Sequence, residues 1–435
     1  MHKRTLGGRF WRLWTAVAAS SLGDGIFSVA LPLLALRFTR NPLAIAGVAI
    51  TGQIPVVVAA LPVGTWADRL NRRRLIISIE VARFGLLGAF AALVALDLAS
   101  LVLVYIAAFL LGGLNIAFDI VGNACVPSMV RNDDLVRANA HLLNAEMTAE
   151  NLLGQALGGA AMAVSRSLPF VANAVSLAVS AALVKGAVPD NDPVESESSA
   201  WKDLTEGLRW FLGNPLLRLL TSVIASLAFC QGIVLGLLAL YARERLHLGN
   251  AGFGLLLAVA SVGTVIGGIF ARRIHDRLGS GHTILLAGAV FGLAYPVLAI
   301  THSPLVAAAV LLAQEAAVIV GNTASRSLRQ RMVPGHMQGR AASANTVVIL
   351  SCFPLGGLVG GLVAGALGLP AAFLAAGGLQ VALLGLTGPR LLARIRAVRI
   401  MVHITDIRRS LELDGDIDLT DDRSTGGPTL TQAAG

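Results

Sequence analysis

Charge is scarce in this sequence: Asp, Glu, Lys and Arg make up 14% of its 435 residues, where an ordinary soluble domain carries about 25%. With 55% of its residues hydrophobic, the chain points to lipid as its solvent. Cysteine is scarce too. Cys125, Cys230 and Cys352 are isolated, without metal-ligand spacing, and an odd count in apolar surroundings argues against a disulfide framework. They read as packing residues, and no metal site is expected. The sequence also lacks a G-x-x-x-x-G-K-[ST] phosphate loop, an H-E-x-x-H helix and a G-x-S-x-G elbow, and its eight histidines are scattered. These absences argue against ATP-driven transport by this chain alone, against a membrane-embedded enzyme, and against any cofactor.

Long apolar runs are abundant. Crossing a bilayer as a helix takes about 20 apolar residues, and such runs fall near 13–36, 43–66, 75–97, 100–123, 142–164 and 168–186. A second set falls near 217–241, 252–271, 283–301, 304–325, 342–367 and 369–389. None alternates as the strands of a transmembrane barrel must. The fold expected is therefore all-α and integral to the membrane, with about twelve transmembrane helices. The first run is too long for a signal-peptide core and reads as a retained helix.

The net charge of +9 and pI near 10.4 raise the question of nucleic acid, which the positions of the basic residues answer. They flank the apolar runs, at Lys3, Arg4, Arg9 and Arg12, then Arg69, Arg72, Arg73 and Arg74, then Arg131 and Arg137, and at matching places to Arg399. The alternate loops keep only Arg37, Arg40, Arg166, Arg243 and Arg245. By the positive-inside rule both termini are cytoplasmic; the partner is the lipid bilayer, no nucleic acid is involved, and the plasma membrane is the expected location.

Two halves are expected. Pro189-Asp190-Asn191-Asp192-Pro193 and the Ser/Glu stretch after it have linker composition. They separate an N-terminal six-helix bundle, 1–186, from a C-terminal one, 215–392. Within the connection, 187–214, the spacing of Trp201, Leu204, Leu208, Phe211 and Leu212 suggests a short interfacial helix. Residues 393–435 read as a mostly disordered cytoplasmic tail. The halves also repeat: an offset of 203 residues carries Gly154-x-x-x-Gly158 onto Gly357-x-x-x-Gly361, Met129-Val130 onto Met332-Val333 and Arg137-Ala138 onto Arg340-Ala341.

Between the second and third spans lies Gly64-Thr65-Trp66-Ala67-Asp68-Arg69-Leu70-Asn71-Arg72-Arg73-Arg74, which resembles the G-x-x-x-D-R-x-x-R-R signature of the major facilitator superfamily. Two pseudo-symmetric six-helix bundles fit that family's plan. The resemblance implies a conformational switch built on Gly64, Asp68, Arg69, Arg72 and Arg73. In the second half Arg272 stands where Asp68 would repeat, which weakens any latch there. Gly154-Gln155-Ala156-Leu157-Gly158-Gly159 is similar to the G-P-x-x-G-G motif of the superfamily's antiporters, with Gln155 in place of proline; the same glycines would form a packing seam in any helical membrane protein. Ser21-Leu22-Gly23-Asp24, Arg137-Ala138-Asn139 and Glu206-Gly207-Leu208-Arg209 resemble the macrolide and siderophore exporter branch.

Acids at membrane depth complete the reading, because each costs at least ~2.5 kcal/mol and needs a partner, water or a function. Asp24, about twelve residues into the first span, is the leading candidate for proton coupling or substrate contact. Glu315, beside Gln314, is the second; Gln53 and Gln231 are further candidates for a polar cavity. Glu80 and Arg83 can pair on one helix face, and with Asp119, Glu146 and Glu150 they read as a network holding the inward gate. The function expected is proton-coupled export of small amphipathic molecules by alternating access, in a chain acting as a monomer. A lysophospholipid or siderophore carrier and a non-transporting sensor on the same fold are the alternatives.

Overall fold

The computed structural model describes residues 6–69, 71–188, 209, 213–333 and 337–413, with backbone alone for 56–69, 132, 331, 338–344 and 397–413. Apolar residues with few breakers dictate helices, and local chemistry sets many of their ends. α1 (Gly8–Ala35) and α2 (Pro42–Arg69) are followed by α3 (Arg72–Ala95), whose first turn is capped by the Asn71 side chain accepting from Arg74 N. α4 (Leu101–Cys125) is capped in the same way by Ser100. α5 (Leu135–Glu146) runs through a π-helical segment, Met147–Gly154, into α6 (Gln155–Val164), and α7 (Leu168–Ala187) completes the first half.

In the second half α8 (Pro215–Glu244) starts with proline at its first position and Asn214 accepting from Leu216 N and Leu217 N. α9 (Asn250–Ile300) holds two spans joined at Gly279, whose φ of 74° breaks the helical path. α10 (Pro304–Met332), α11 (Gln338–Leu367) and α12 (Leu369–Leu413) follow, with Gly368 at φ 88° making the turn between the last two. Among the described residues, nine helices are long and apolar enough to cross a membrane. Counting α2, the joined α5–α6 and the second arm of α9 separately gives twelve membrane crossings, and among the described residues no strand occurs.

Some boundaries differ from the sequence reading. α1 begins at Gly8, so Asp24 lies sixteen residues into it, about 24 Å along the axis. α12 continues to Leu413 instead of giving way to an unstructured tail at 393, because no Gly or Pro falls between Arg390 and Leu413. The interfacial helix expected at 201–212 lies outside the described residues except for Arg209, and so do residues 414–435.

The arrangement of the core decides where a site can lie. Towards the face remote from the N-terminus, one buried apolar cluster runs through both halves, joining Leu34, Ile45 and Leu111 to Leu237, Leu256 and Phe373. Towards the N-terminal face the core divides. One cluster, with Phe10, Ile76, Phe118 and Leu142, belongs to the first half alone, and another, with Leu220, Ile284, Leu328 and Leu391, to the second. The halves thus meet at the far face and part near the N-terminal face. Glycines permit the meeting: a Cβ on Gly159 would lie 2.7 Å from Gly254 Cα, and one on Gly361 would lie 2.8 Å from Leu43 Cα. Helix backbones touch directly at these crossings.

Candidate functional site

Between the halves lies a cavity of about 350 Å³. Phe27, Leu31, Ile45, Leu111, Phe253 and Phe353 give it apolar walls, while Asp24, Gln53, Arg83, Asn115, Glu150, Gln155 and Asn173 supply the polar groups. That mixture, mostly apolar with a few placed polar atoms, is usual for a small-molecule site.

Arg83 organises the polar wall. Its side chain on α3 is 1% exposed, and its Nη2 donates to Asp24 Oδ1 at 2.5 Å. Nη1 donates to Ser20 Oγ at 2.9 Å and to Glu80 Oε2 at 3.3 Å. Ser180 on α7 donates to the other Glu80 oxygen at 2.6 Å. One guanidinium therefore ties α1, α3 and α7 together, and its flat face lies 5.4 Å from the Phe118 ring on α4. Such a fork of donors is what arginine offers and lysine does not. Arg83 Nε alone has no hydrogen-bond partner.

More acid surrounds this group. Asp119 lies within electrostatic reach of Asp24, Glu80, Glu146 and Arg83, and Glu150 within reach of Asp24, Asp119, Glu146 and Arg83. Asp24 and Glu80 thus bind the buried arginine directly, Asp119 and Glu150 lie within its electrostatic reach, and Glu146 neighbours Asp119 and Glu150. The π-helical segment at Met147–Gly154 carries Glu150, and such an inserted turn re-aims side chains relative to a regular helix. The seam beneath it is tight: a Cβ on Gly25 would strike the Glu150 carbonyl, and one on Gly154 would lie 2.7 Å from Leu22 O.

The glycines of the antiporter-like motif divide between two contacts. Gly154, ending the π-helical segment, and Gly158 of α6 pack on α1, whereas Gly159 faces Gly254 of the other half. Gln155 lines the cavity and shares a 3.2 Å hydrogen bond with Ser261 Oγ that crosses between halves; with its amide turned to satisfy both ends, its nitrogen also donates to Asn151 O at 2.9 Å.

The remaining sequence candidates are dispersed. Gln314 is buried and donates to Tyr295 Oη at 2.9 Å, and Glu315 has Thr264 as its hydrogen-bonding neighbour, so both serve the α9–α10 contact and do not line the cavity. Gln231 is half-buried on α8 and also lies outside the lining. Gly64, Asp68 and Arg69 occupy the end of α2, where side chains lie outside the described residues. Arg72 donates to Ala124 O at 2.9 Å and Arg73 to Lys185 O at 2.8 Å, placing positive charge on the carbonyl ends of α4 and α7. Sequence reasoning missed Ser20, Ser180, Ser261 and the three cavity phenylalanines, for which the sequence offers no distinguishing pattern.

Comparison with known proteins agrees with this architecture. The family model described as transmembrane secretion effector matches residues 7–399. The multidrug efflux pump Tap of Mycolicibacterium fortuitum is 27% identical over 385 residues, covering 83% of this chain and 90% of the pump. Among solved structures, a bacterial homologue of the iron transporter ferroportin in its inward-facing state has a TM-score of 0.69 at 18% identity, covering 88% of this chain and 100% of that one. The nucleoside transporter NupG has a TM-score of 0.69 at 13% identity, covering 88% of this chain and 98% of that one.

Proposed function

Because the chain belongs to the transmembrane secretion effector family of the major facilitator superfamily, a multi-pass secondary transporter rather than an enzyme, we propose that it exports small amphipathic molecules in exchange for protons. It acts as a monomer in the plasma membrane, with the N-terminal face towards the cytoplasm. The resemblance to a multidrug efflux pump supports the direction and the breadth of substrates.

The single observation that carries the proposal is the shared arginine. Asp24 opens onto the cavity, is bound to Arg83 at 2.5 Å, and sits among four further acids. In a lipid-embedded bundle this surplus of carboxyl groups is balanced by bound protons or by a cationic group on the substrate. A proton on Asp24 cancels the charge that holds Arg83 Nη2, leaving the guanidinium to Ser20 and Glu80. The contact from α1 to α3 then loosens at the cavity wall, and substrate and proton exclude one another at one carboxyl. With the far face shut and the N-terminal face parted, the conformation supports loading from the cytoplasm. Rocking of the halves about the cavity would release the substrate outside.

Dye accumulation in cells expressing the protein, with and without an uncoupler, tests this together with exchange across reconstituted vesicles. Asp24→Asn is expected to abolish uncoupler-sensitive efflux while preserving downhill exchange. Undiminished uphill efflux by Asp24→Asn would remove Asp24 from the coupling role.

A further inference from the structure

A second and larger cavity, about 940 Å³, opens on the far face between the two halves. Met162 and Asn250 line it and are joined by Asn250 Nδ2 donating to Met162 O at 3.1 Å, and a Cβ on Gly159 would lie 2.7 Å from Asn250 O. Its lining is polar over most of its surface and its rim is basic, with an apolar patch formed by Leu33, Leu36, Val94, Met162, Val164 and Leu240.

The origin of that rim is informative. Loops on this side of the chain keep five arginines, a few against a strong bias to the other face. Arg245 caps a helix end by donating to Ala299 O at 2.9 Å. The other four, Arg37, Arg40, Arg166 and Arg243, all line this vestibule. Arg166 at 3.0 Å and Arg37 at 3.6 Å share Asp97, which stands at a positive φ of 56° in the α3–α4 turn. Arg40, from the first half, and Arg243, from the second, have no ion-pair partner among the described residues. Glu244 is the second acid of the rim, and His247 adds a polar ring to it.

We propose that this vestibule binds the phosphate of an anionic amphiphile, with Arg40 and Arg243 contacting the headgroup from opposite halves and the apolar patch meeting only the start of its chain. Guanidinium forks suit phosphate oxygens, and the volume falls in the range of small-ligand sites, about 300–1,000 Å³. A bound phosphate spans the closed face, so it holds the halves together there. This site is separate from the central cavity and does not depend on the identity of the exported molecule.

The test uses purified full-length protein and native mass spectrometry, with dioctanoyl phosphatidylglycerol, dioctanoyl phosphatidylcholine and inorganic phosphate as probes at constant ionic strength. The expected result is a preference for phosphatidylglycerol over phosphatidylcholine that falls about tenfold or more in Arg40→Gln/Arg243→Gln. Arg273→Gln, on the opposite face, should leave that preference intact. If inorganic phosphate binds as tightly as phosphatidylglycerol and is lost in the same double variant, the phosphate site stands and its source is a free ion. No headgroup preference, or an equal loss in Arg273→Gln, overturns the proposal. Both arginines are exposed, and an unaltered elution profile checks that the double variant folds.

Discussion

Replacing Arg83 with methionine removes the guanidinium that binds Asp24 and Glu80 while keeping an unbranched chain. Asp24, 2.5 Å from the guanidinium, and Glu80, 3.3 Å from it, lose their cation together, and Ser20 loses its donor. Breaking a buried ion pair by deleting one partner costs about 3–5 kcal/mol. The loss should divide unequally. Glu80 keeps the Ser180 hydrogen bond at 2.6 Å, whereas among the described residues Asp24 keeps no comparable partner. A double-mutant cycle between Arg83→Met and Asp24→Asn should therefore show a coupling of about 2–3 kcal/mol, and the cycle with Glu80→Gln only about 1 kcal/mol. Equilibrium unfolding in mixed micelles, at increasing mole fraction of sodium dodecyl sulfate, measures both. If Arg83→Met costs under about 0.5 kcal/mol, or if the two cycles are additive, the guanidinium does not hold the site together and the switching scheme built on it fails.

Other consequences are open to direct measurement. Gly159→Val places a branched side chain where a Cβ alone would already lie 2.7 Å from Gly254 Cα, so the far face should no longer close; a cysteine at Asn250 should then label faster with an impermeant maleimide from that face. Tyr295→Phe removes the Gln314 partner and should cost about 1–3 kcal/mol in the same unfolding assay, since Gln314 is buried and its Oε1 is already unpartnered. Its effect on dye efflux, at equal folded protein, should be small. Gly25→Leu should abolish folding or transport outright, because its Cβ meets the Glu150 backbone; Gly85→Ala, where open space surrounds the Cβ, should be close to neutral in both.

The twelve-span plan was legible because a lipid-facing helix must be apolar along its whole length, and length and composition alone carry that signal. The pairing of Glu80 with Arg83 was legible as well, since residues three apart on a helix are neighbours. What the sequence could not convey was that Asp24, 59 residues earlier in the chain, reaches the same arginine. That contact depends on how α1 packs against α3, and no local spacing encodes it. The same limit explains Gln314 and Glu315, which sit at a comparable depth yet turn into the α9–α10 contact. Depth follows from counting residues, whereas facing follows from packing. The π-helical segment was likewise invisible, because Met147–Gly154 has a composition that a regular helix would accept.

The glycine crossings at the far face have a mechanical consequence. A closed face built from interlocking leucines would release only after many side chains had changed rotamer and a large apolar area, at roughly 25 cal/mol per Å², had been exposed. Gly159 against Gly254, and Gly361 against Leu43 and Ala46, instead bring smooth backbone surfaces together with few side chains to disengage. At these two crossings the contact is close and poor in interlocked side chains, within an apolar cluster that joins both halves. Under the proposed exchange, opening this face would need few rotamer changes at the crossings themselves, and the main cost would lie in parting the apolar cluster around them.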